Sequence, residues 1–252
     1  MIAAIMQPTF NPWLGYFDLI DQVDCFVFYD DVQLVKRSWQ VRNKIKVQGN
    51  AHFLSIPIEK TSSRSQTLIS NAVISNAIDW KSKHLKTLQN TYKKYPYFEL
   101  IFEFISKLYS AEYQFLSDFN ISIISSICEE IGIKTPLVKS SNLKNISGSK
   151  DSRLVSVCKE IQADSYISVQ GSADYIESQN PGGEIIKNDI KLHYQVYEHP
   201  LYDQRSDEFV PYLGVFDLLF NHGFLNSRSI IISGRRNNLT HLEYRKSNDY
   251  DL

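Results

Sequence analysis

The first 46 residues alternate apolar runs with polar turns, a pattern that predicts a β-strand, an α-helix and a second β-strand. Residues 2–6 are apolar and end in a turn rich in proline and asparagine at residues 7–12. Apolar positions then recur at helical spacing over residues 13–20, and a second apolar run covers residues 23–29. Polar residues follow both predicted strands. Because open α/β sheets bind ligands beyond the carboxyl ends of their strands, this βαβ unit predicts one side of a binding site.

The rest of the chain continues this alternation around a block of helices. Three amphipathic helices are predicted within residues 77–132, where apolar positions recur at helical spacing. Further strands are predicted at residues 52–58, 137–139, 166–169 and 190–197, and further helices at residues 151–163 and 214–220, the last ended by residues 221–223. We therefore predict a single α/β domain over residues 1–252. Its fold class is a Rossmann-like open sheet with helices on both faces and an inserted helical subdomain at about residues 77–132.

Composition narrows the function classes. Hydrophobic residues make up 43% of the 252 residues, and the formal net charge is −1, which favours neither a DNA nor a membrane partner. No apolar run approaches the roughly 20 residues that span a membrane, and the chain begins with a strand rather than a signal peptide. The three cysteines and six histidines are scattered, which predicts reduced, buried thiols and no metal site. We expect a soluble cytoplasmic protein; nothing in the sequence indicates its oligomeric state.

A basic segment, residues 36–46, follows the second predicted strand and carries five positive charges around Trp39. Cations beside an aromatic ring suit a phosphate attached to a base or a sugar. The alternative, a solvated amphipathic strand, explains the segment equally well. Asp30 and Asp31 come just before it, so the region is patterned in charge rather than simply basic.

Three stretches carry a resemblance to a known family. They are MQPTFNPWLGYFDLI, VFYDDVQLVKRSWQVRNKIK and FVPYLGVFDLLFNHG, which together with weaker similarity cover most of residues 1–225. In these stretches the chain resembles the WbqC-like protein family. The resemblance implies a role in bacterial O-antigen or capsule biosynthesis, in which glycine or another acyl group is attached to the amine of an unusual aminosugar. Family members usually have a histidine before the Gln-Pro pair, whereas this chain has Met6.

A more remote resemblance concerns nucleotidyltransferases with a HIGH-type motif. Residues 10–20 are similar to the loop with which those enzymes cradle ATP phosphates, and residues 233–236 are similar to their late basic loop. Both motif histidines are missing here, and Tyr16 occupies the second position. The resemblance therefore supports a nucleotide-binding α/β fold rather than adenylyl transfer.

Acylation of a sugar amine requires several chemical groups. The attacking amine loses a proton, the developing oxyanion needs hydrogen-bond donors, and the diphosphate needs cations. Asp30 and Asp31, at the end of the second predicted strand, are candidates for the base or the amine anchor, as is His199 in a late loop. Adjacent residues of a strand point to opposite sides. We thus expect only one of the two aspartates to face the site, and the other to cap a turn or pair with Arg37.

The candidates for substrate binding lie at predicted strand ends and in turns. Cations would hold phosphates, aromatic rings would stack on the base or sugar, amides and hydroxyls would bind sugar hydroxyls, and a glycine turn would offer N–H groups to an anion. Each also has an ordinary structural role as an alternative, in a turn, a helix cap or the core. These candidates are Gln7, Thr9, Asn11, Trp13, Tyr16, Lys36, Arg37, Trp39, Arg42, Asn43, Lys44, Gln170, Gly171, Asn221 and His222.

The function that the resemblance implies is transfer of an acyl or aminoacyl group, such as glycine, to a nucleotide-linked aminodeoxysugar. The acceptor would be a dTDP- or UDP-sugar. No cofactor is identified; ATP, an aminoacyl-tRNA or another activated acyl donor would fit. One alternative is a glycosyltransferase, because the Asp30-Asp31 pair faintly resembles a metal-binding DxD motif without its spacing. Another is a non-catalytic protein of the same pathway that binds a nucleotide-sugar.

Overall fold

The computed structural model describes residues 1–35, 37–60, 67–178, 180–205 and 208–248. In chain order, its strands are β1 (Ile2–Met6), β2 (Cys25–Phe28), β3 (Arg42–Val47), β4 (Asn50–Ser55), β5 (Leu137–Lys139), β6 (Ser165–Ser168), β7 (Lys191–Tyr194) and β8 (Leu239–Thr240). The helices are α1 (Leu14–Asp21), α2 (Trp80–Tyr92), α3 (Phe98–Ser110), α4 (Leu116–Glu130), α5 (Lys150–Glu160), α6 (Ala173–Ile176), α7 (Gly183–Lys187), α8 (Val215–Ser233) and α9 (His241–Ser247).

Six strands form the main sheet, in the order β5-β2-β1-β6-β7-β8. The first five run parallel, and β8 pairs antiparallel with β7. The chain proceeds from β1 through β2 to β5 on one side, and β6 and β7 lie on the other side of β1. The direction of strand order thus reverses between β1 and β6. In parallel sheets, such a reversal opens a crevice at the carboxyl ends of the strands.

Alternating residues of β1 face two separate cores. Ala4 packs with Phe26 and Phe28 of β2 against α1, α4 and α8. Ala3 and Ile5 pack on the opposite face, against residues of α5, α6 and α7. Helices therefore cover both faces of a mostly parallel sheet, which confirms the predicted α/β class. Cys25, Cys128 and Cys158 are buried free thiols, as expected.

The predicted helical block at residues 77–132 consists of α2, α3 and α4. Their buried side chains, among them Trp80, Ile105 and Ile123, belong to the same core as Ala4 and α8. Asp79 begins α2, because its carboxylate accepts a hydrogen bond from the backbone N–H of Ser82 at 3.1 Å. The block thus thickens one helical layer of the sheet. None of the helices that the structure describes is long and apolar enough to cross a membrane.

The basic segment is strand only from Arg42 onward. There β3 pairs with β4 in a hairpin outside the main sheet, turning through Gln48 (φ 48°) and Gly49 (φ 80°). Two consecutive positive φ values give a turn whose twist matches that of the strands. The strand predicted at residues 52–58 ends at Ser55 and joins this hairpin. Its pairing partner could not be read from local periodicity.

Helix α8 corrects the prediction of a short helix that ends at residues 221–223. Gly223 does interrupt it, with φ 67° and ψ 179°, but the helix resumes and continues to Ser233. A Cβ atom at Gly223 would lie 2.6 Å from Cδ1 of Tyr97, so a glycine fits where the ring approaches the backbone. Phe224 and Ile231 of the second half are buried in the core and hold the continuation in place.

Candidate functional site

A cleft with two adjoining cavities lies at the carboxyl ends of the parallel strands. The larger, of about 1020 Å³, is lined by Gln7 after β1, Asp31 after β2, Gly171 after β6, and Lys150 and Arg153 of α5, and is called the polar cavity here. The smaller, of about 430 Å³, is called the aromatic cavity, and the residues that line it include Trp13, Tyr16, Asn43, Lys44 and Tyr212. Met6, Thr9 and Trp39 line both. The cleft therefore coincides with the point where the strand order reverses.

Asp30 and Asp31 differ in burial and in their surroundings, although both accept a hydrogen bond from the hydroxyl of Ser140. Asp30 is buried and accepts hydrogen bonds from the backbone N–H of Ser141 (3.0 Å) and from the hydroxyls of Ser141 (2.8 Å) and Ser140 (3.2 Å). It thus fastens the turn after β5 to the end of β2 and lines neither cavity. Asp31 lines the polar cavity. One aspartate is therefore structural, and the other is available to a ligand.

Arg153, rather than Arg37, is the cation that pairs with Asp31. Its guanidinium forms an ion pair with Oδ2 of Asp31, and Oδ1 of Asp31 accepts a hydrogen bond from the hydroxyl of Ser140. Arg153 lies in the first turn of α5, after a loop in which Gly148 has φ 84°. The amino end of α5 and two cations, Lys150 and Arg153, consequently face the polar cavity. The sequence predicts a helix over residues 151–163 but gives neither cation a role in the site; Gly148 and Ser149 before this helix were the available signal.

The cations of the 36–46 segment are dispersed. Lys36 lies outside the described residues. Arg37 is exposed at φ 58° and lines neither cavity, and the guanidinium of Arg42 sits 4.5 Å above the ring of Phe53. Of the cationic candidates that the structure describes in this segment, Lys44 alone lines the cleft. It lies in the aromatic cavity, with Nζ 5.7 Å from the ring centroid of Trp39.

Trp13 and Tyr16 shape the aromatic cavity in different ways. The Trp13 ring covers the first turn of α1, since a Cβ atom at Gly15 would lie 2.3 Å from it, and it meets Tyr197 edge-on at 5.4 Å. Tyr16 is almost fully buried, and its hydroxyl donates to the backbone oxygen of Gln7 at 3.1 Å. Trp39, by contrast, is 51% exposed and stacks at 6.2 Å on Phe53. Trp39 is therefore open to a ligand, as is Tyr212, which is 57% exposed.

Several predicted binding residues hold local structure. Asn11 accepts a hydrogen bond from the backbone N–H of Phe216 at 3.0 Å and so caps the start of α8. The amide of Asn43 donates to the backbone oxygen of Asn11 at 2.8 Å, although Asn43 also lines the aromatic cavity. Gln170 donates to the backbone oxygen of Gln195 at 3.1 Å. Beside Gln170, Gly171 lines the polar cavity.

The candidates His199, Asn221 and His222 lie outside the cleft. His199 donates from Nδ1 to the backbone oxygen of Pro200 at 3.0 Å, and its ring meets Tyr212 at 5.1 Å. Burial lowers the pKa of His199, which favours the neutral ring. Asn221 donates to the backbone oxygen of Asp217 at 2.8 Å, and a ring nitrogen of His222 is 3.1 Å from the backbone oxygen of Asp203. His199, Asn221 and His222 line neither cavity.

The sequence reading missed a buried carboxylate, Asp217, in α8. It accepts hydrogen bonds from the hydroxyls of Tyr92 (2.8 Å) and Tyr202 (3.0 Å). Burial is the main cause that raises its pKa to about 6, against the opposing effect of those hydrogen bonds and of nearby Lys46. Asp217 is fully buried, which indicates a structural role. The signal was a lone aspartate within the apolar helix of the FVPYLGVFDLLFNHG stretch.

The loops that resemble those of the HIGH-type nucleotidyltransferases serve another purpose here. Arg235, in the late basic loop, donates from Nε to Asp18 at 2.8 Å and pairs with Asp21 at 2.6 Å. The loop is thus tied to α1, whose first turn is covered by Trp13. Among the residues that the structure describes, no group of three or more His, Cys, Asp or Glu side chains could hold a metal ion.

A sequence model of the WbqC-like protein family, built from its members, matches residues 7–229. The chain belongs to the WbqC-like protein family. The matched region contains the loop after β1, the amino end of α5 and the first part of α8, and hence most of the cleft. Met6, where the resemblance implies a histidine, lies just before the matched region in the wall shared by the two cavities.

One relative from Mycobacterium tuberculosis, the uncharacterized protein Rv1507c, is 30% identical to this chain over 224 residues. The similarity covers 87% of this chain and 93% of the relative. No solved structure matches this member of the WbqC-like family. The similarity between the two chains therefore extends over most of this domain.

Proposed function

We propose that this protein is a transferase that attaches an acyl or aminoacyl group to the amine of a nucleotide-linked aminodeoxysugar during bacterial surface-polysaccharide biosynthesis. The observation that carries the proposal is the two-part cleft. A carboxylate and two cations line one cavity, and aromatic rings line the adjoining one, which shares a wall with it at Met6, Thr9 and Trp39. The charged groups of the polar cavity suit a nucleotide-sugar, and the aromatic cavity is large enough for a small activated acyl group.

Asp31 is the candidate base in this reaction. The sugar amine attacks the carbonyl carbon of the donor, a C–N bond forms, and the bond from that carbon to the leaving oxygen or sulfur breaks. The amine must give up a proton, which a carboxylate within hydrogen-bonding distance accepts. Asp31 suits this role because it faces the polar cavity, whereas Asp30 is occupied by Ser140 and Ser141.

The same placement disfavours glycosyl transfer through an Asp30-Asp31 metal pair. A DxD-type site requires carboxylates that reach one ion together. Asp30 is buried, accepts three hydrogen bonds from the turn after β5 and does not line the polar cavity, so its oxygens are not available to an ion there. We therefore retain the acyl-transfer proposal.

Mass spectrometry tests the proposal. The protein is incubated with dTDP- and UDP-linked 4-amino-4,6-dideoxyhexoses and, in turn, with glycine plus ATP, glycyl-tRNA or acyl-CoA donors. We expect an acylated nucleotide-sugar with one donor class, none with the matching hexose that lacks the amine, and at least a hundredfold slower formation by Asp31→Asn. Tight binding of the aminosugar nucleotide without product from any donor would instead identify a non-catalytic binding protein.

A further inference from the structure

One end of the polar cavity is electropositive. Ser149, Lys150 and Arg153, at the amino end of the eleven-residue helix α5, all line it. The first N–H groups of a helix have no partner within the helix and carry the positive end of its dipole. Among the described lining residues, the charged side chains are Lys150, Arg153 and Asp31, so cations outnumber carboxylates.

The guanidinium of Arg153 has hydrogen-bond donors available to an anion. The Arg153 side chain is 22% exposed and pairs with Asp31 through one terminal nitrogen. A guanidinium has five N–H donors arranged as a fork that matches two oxygens of a phosphate. The ion pair with Asp31 therefore leaves donor capacity unused.

Aromatic side chains of the polar cavity suit a nucleoside. Trp39, which is half exposed, and the rings of Tyr29 and Tyr175 contribute to the wall. Aromatic faces stack on bases and sugars, and a cavity of about 1020 Å³ is at the upper end of the range for small-ligand sites. The electropositive end and the aromatic wall thus lie in one continuous space.

We infer that the polar cavity binds the diphosphate of a nucleoside diphosphate at the amino end of α5, with Arg153 and Lys150 as its cationic ligands. This inference rests on the proposed function and specifies how its nucleotide-sugar is oriented. A phosphate that engages Arg153 takes the place of Asp31. Substrate binding thereby releases the Asp31 carboxylate beside the sugar that is attached to the diphosphate.

Calorimetric binding measurements test the site with four probes: thymidine diphosphate, uridine diphosphate, inorganic pyrophosphate and thymidine. We expect both nucleoside diphosphates to bind the full chain, pyrophosphate to bind more weakly, and thymidine to bind weakest. Arg153→Gln should raise the dissociation constant of thymidine diphosphate about tenfold or more, because charge-assisted hydrogen bonds are lost. Lys150→Gln, at an exposed position, should raise it about fivefold.

Lys144→Gln is the matched control, since Lys144 is exposed in the same loop and lines neither cavity. It should leave binding unchanged. Asp31→Asn should tighten diphosphate binding about threefold or more, because Arg153 no longer has a competing carboxylate. A purely structural Arg153–Asp31 pair would not produce this gain.

Two results would overturn the inference. Diphosphate binding that is insensitive to both Arg153→Gln and Lys150→Gln, or that is lost with Arg42→Gln instead, would place the phosphates elsewhere while leaving the proposed transfer intact. Absence of binding by every diphosphate would reject this site; acylation measured with the aminosugar nucleotide then decides the proposed function separately.

Discussion

Asp30 is buried at the end of β2, where its carboxylate accepts hydrogen bonds from Ser140 and Ser141. Its neighbour Asp31 is partly exposed in the polar cavity and pairs with Arg153. Two adjacent residues of the same type therefore have separable roles. Loss of Asp30 leaves the backbone N–H of Ser141 without its acceptor, whereas Asp31→Asn keeps an oxygen for the hydroxyl of Ser140.

We predict that Asp30→Ala lowers the free energy of unfolding by about 2–4 kcal/mol, since several buried hydrogen bonds lose their acceptor. Asp31→Asn should lower it by less than about 1 kcal/mol. Urea unfolding followed by circular dichroism measures both. Equal losses of stability in the two variants would show that the aspartates are not divided between fold and site.

At the scale of an element, helix α8 depends on one backbone conformation. Gly223 combines φ 67° with ψ 179°, a region that side chains with a Cβ atom avoid, and the ring of Tyr97 fills the space where a Cβ would lie. Gly49, in the hairpin turn, also has positive φ (80°), but no neighbouring atom lies within 4 Å of a Cβ built there. Alanine substitutions at the two glycines therefore distinguish the cost of backbone strain from the cost of the collision with Tyr97.

We predict that Gly223→Ala lowers the free energy of unfolding by roughly 3–5 kcal/mol, from strain and collision together. Gly49→Ala carries the strain alone and should cost about 1 kcal/mol. Denaturant unfolding of both variants is the measurement. If Gly223→Ala lowers the free energy of unfolding no more than Gly49→Ala does, the second half of α8 can shift to relieve the collision with Tyr97.

For the whole molecule, stability depends on pH through several buried groups, two of which, Asp217 and His84, have opposite effects. Burial raises the pKa of Asp217 to about 6, above its ordinary value of 3.8, so the stability it contributes is lost as pH rises through that window. Burial lowers the pKa of His84 from 6.5 to about 4, so its contribution is lost as pH falls. His84 is neutral in the fold: Nε2 donates to the backbone oxygen of Ser55, and Nδ1 accepts from the hydroxyl of Tyr109.

We therefore predict that Asp217→Asn makes the loss of stability on acidification steeper than in the wild type. The extra loss between about pH 6.5 and 4.5 should be on the order of 2–3 kcal/mol, because the opposing contribution is gone. His84→Gln should make the loss of stability on acidification less steep than in the wild type. Urea unfolding at a series of pH values tests both; curves parallel to the wild type would contradict the assignment.

Local periodicity was sufficient for elements whose burial depends on near neighbours. β1, α1, β2 and the three helices between residues 80 and 130 follow directly from it. Contacts between distant segments were not accessible. Arg153 meets Asp31 across 122 positions, and Ser140 meets Asp30 across 110, so neither pair leaves a trace in spacing. The continuation of α8 past Gly223 depends on the burial of Phe224 and Ile231 against distant parts of the chain, and it was not predicted for the same reason.

The exposure of Trp39 has a consequence for spectroscopy. Of the three tryptophans, Trp80 is 2% exposed in the core, Trp13 is partly buried, and Trp39 is 51% exposed between the two cavities. A soluble collisional quencher such as acrylamide should therefore act mainly on the emission of Trp39. A ligand in either cavity covers the same indole, so protection from quenching gives an optical titration that works for acceptor and donor alike.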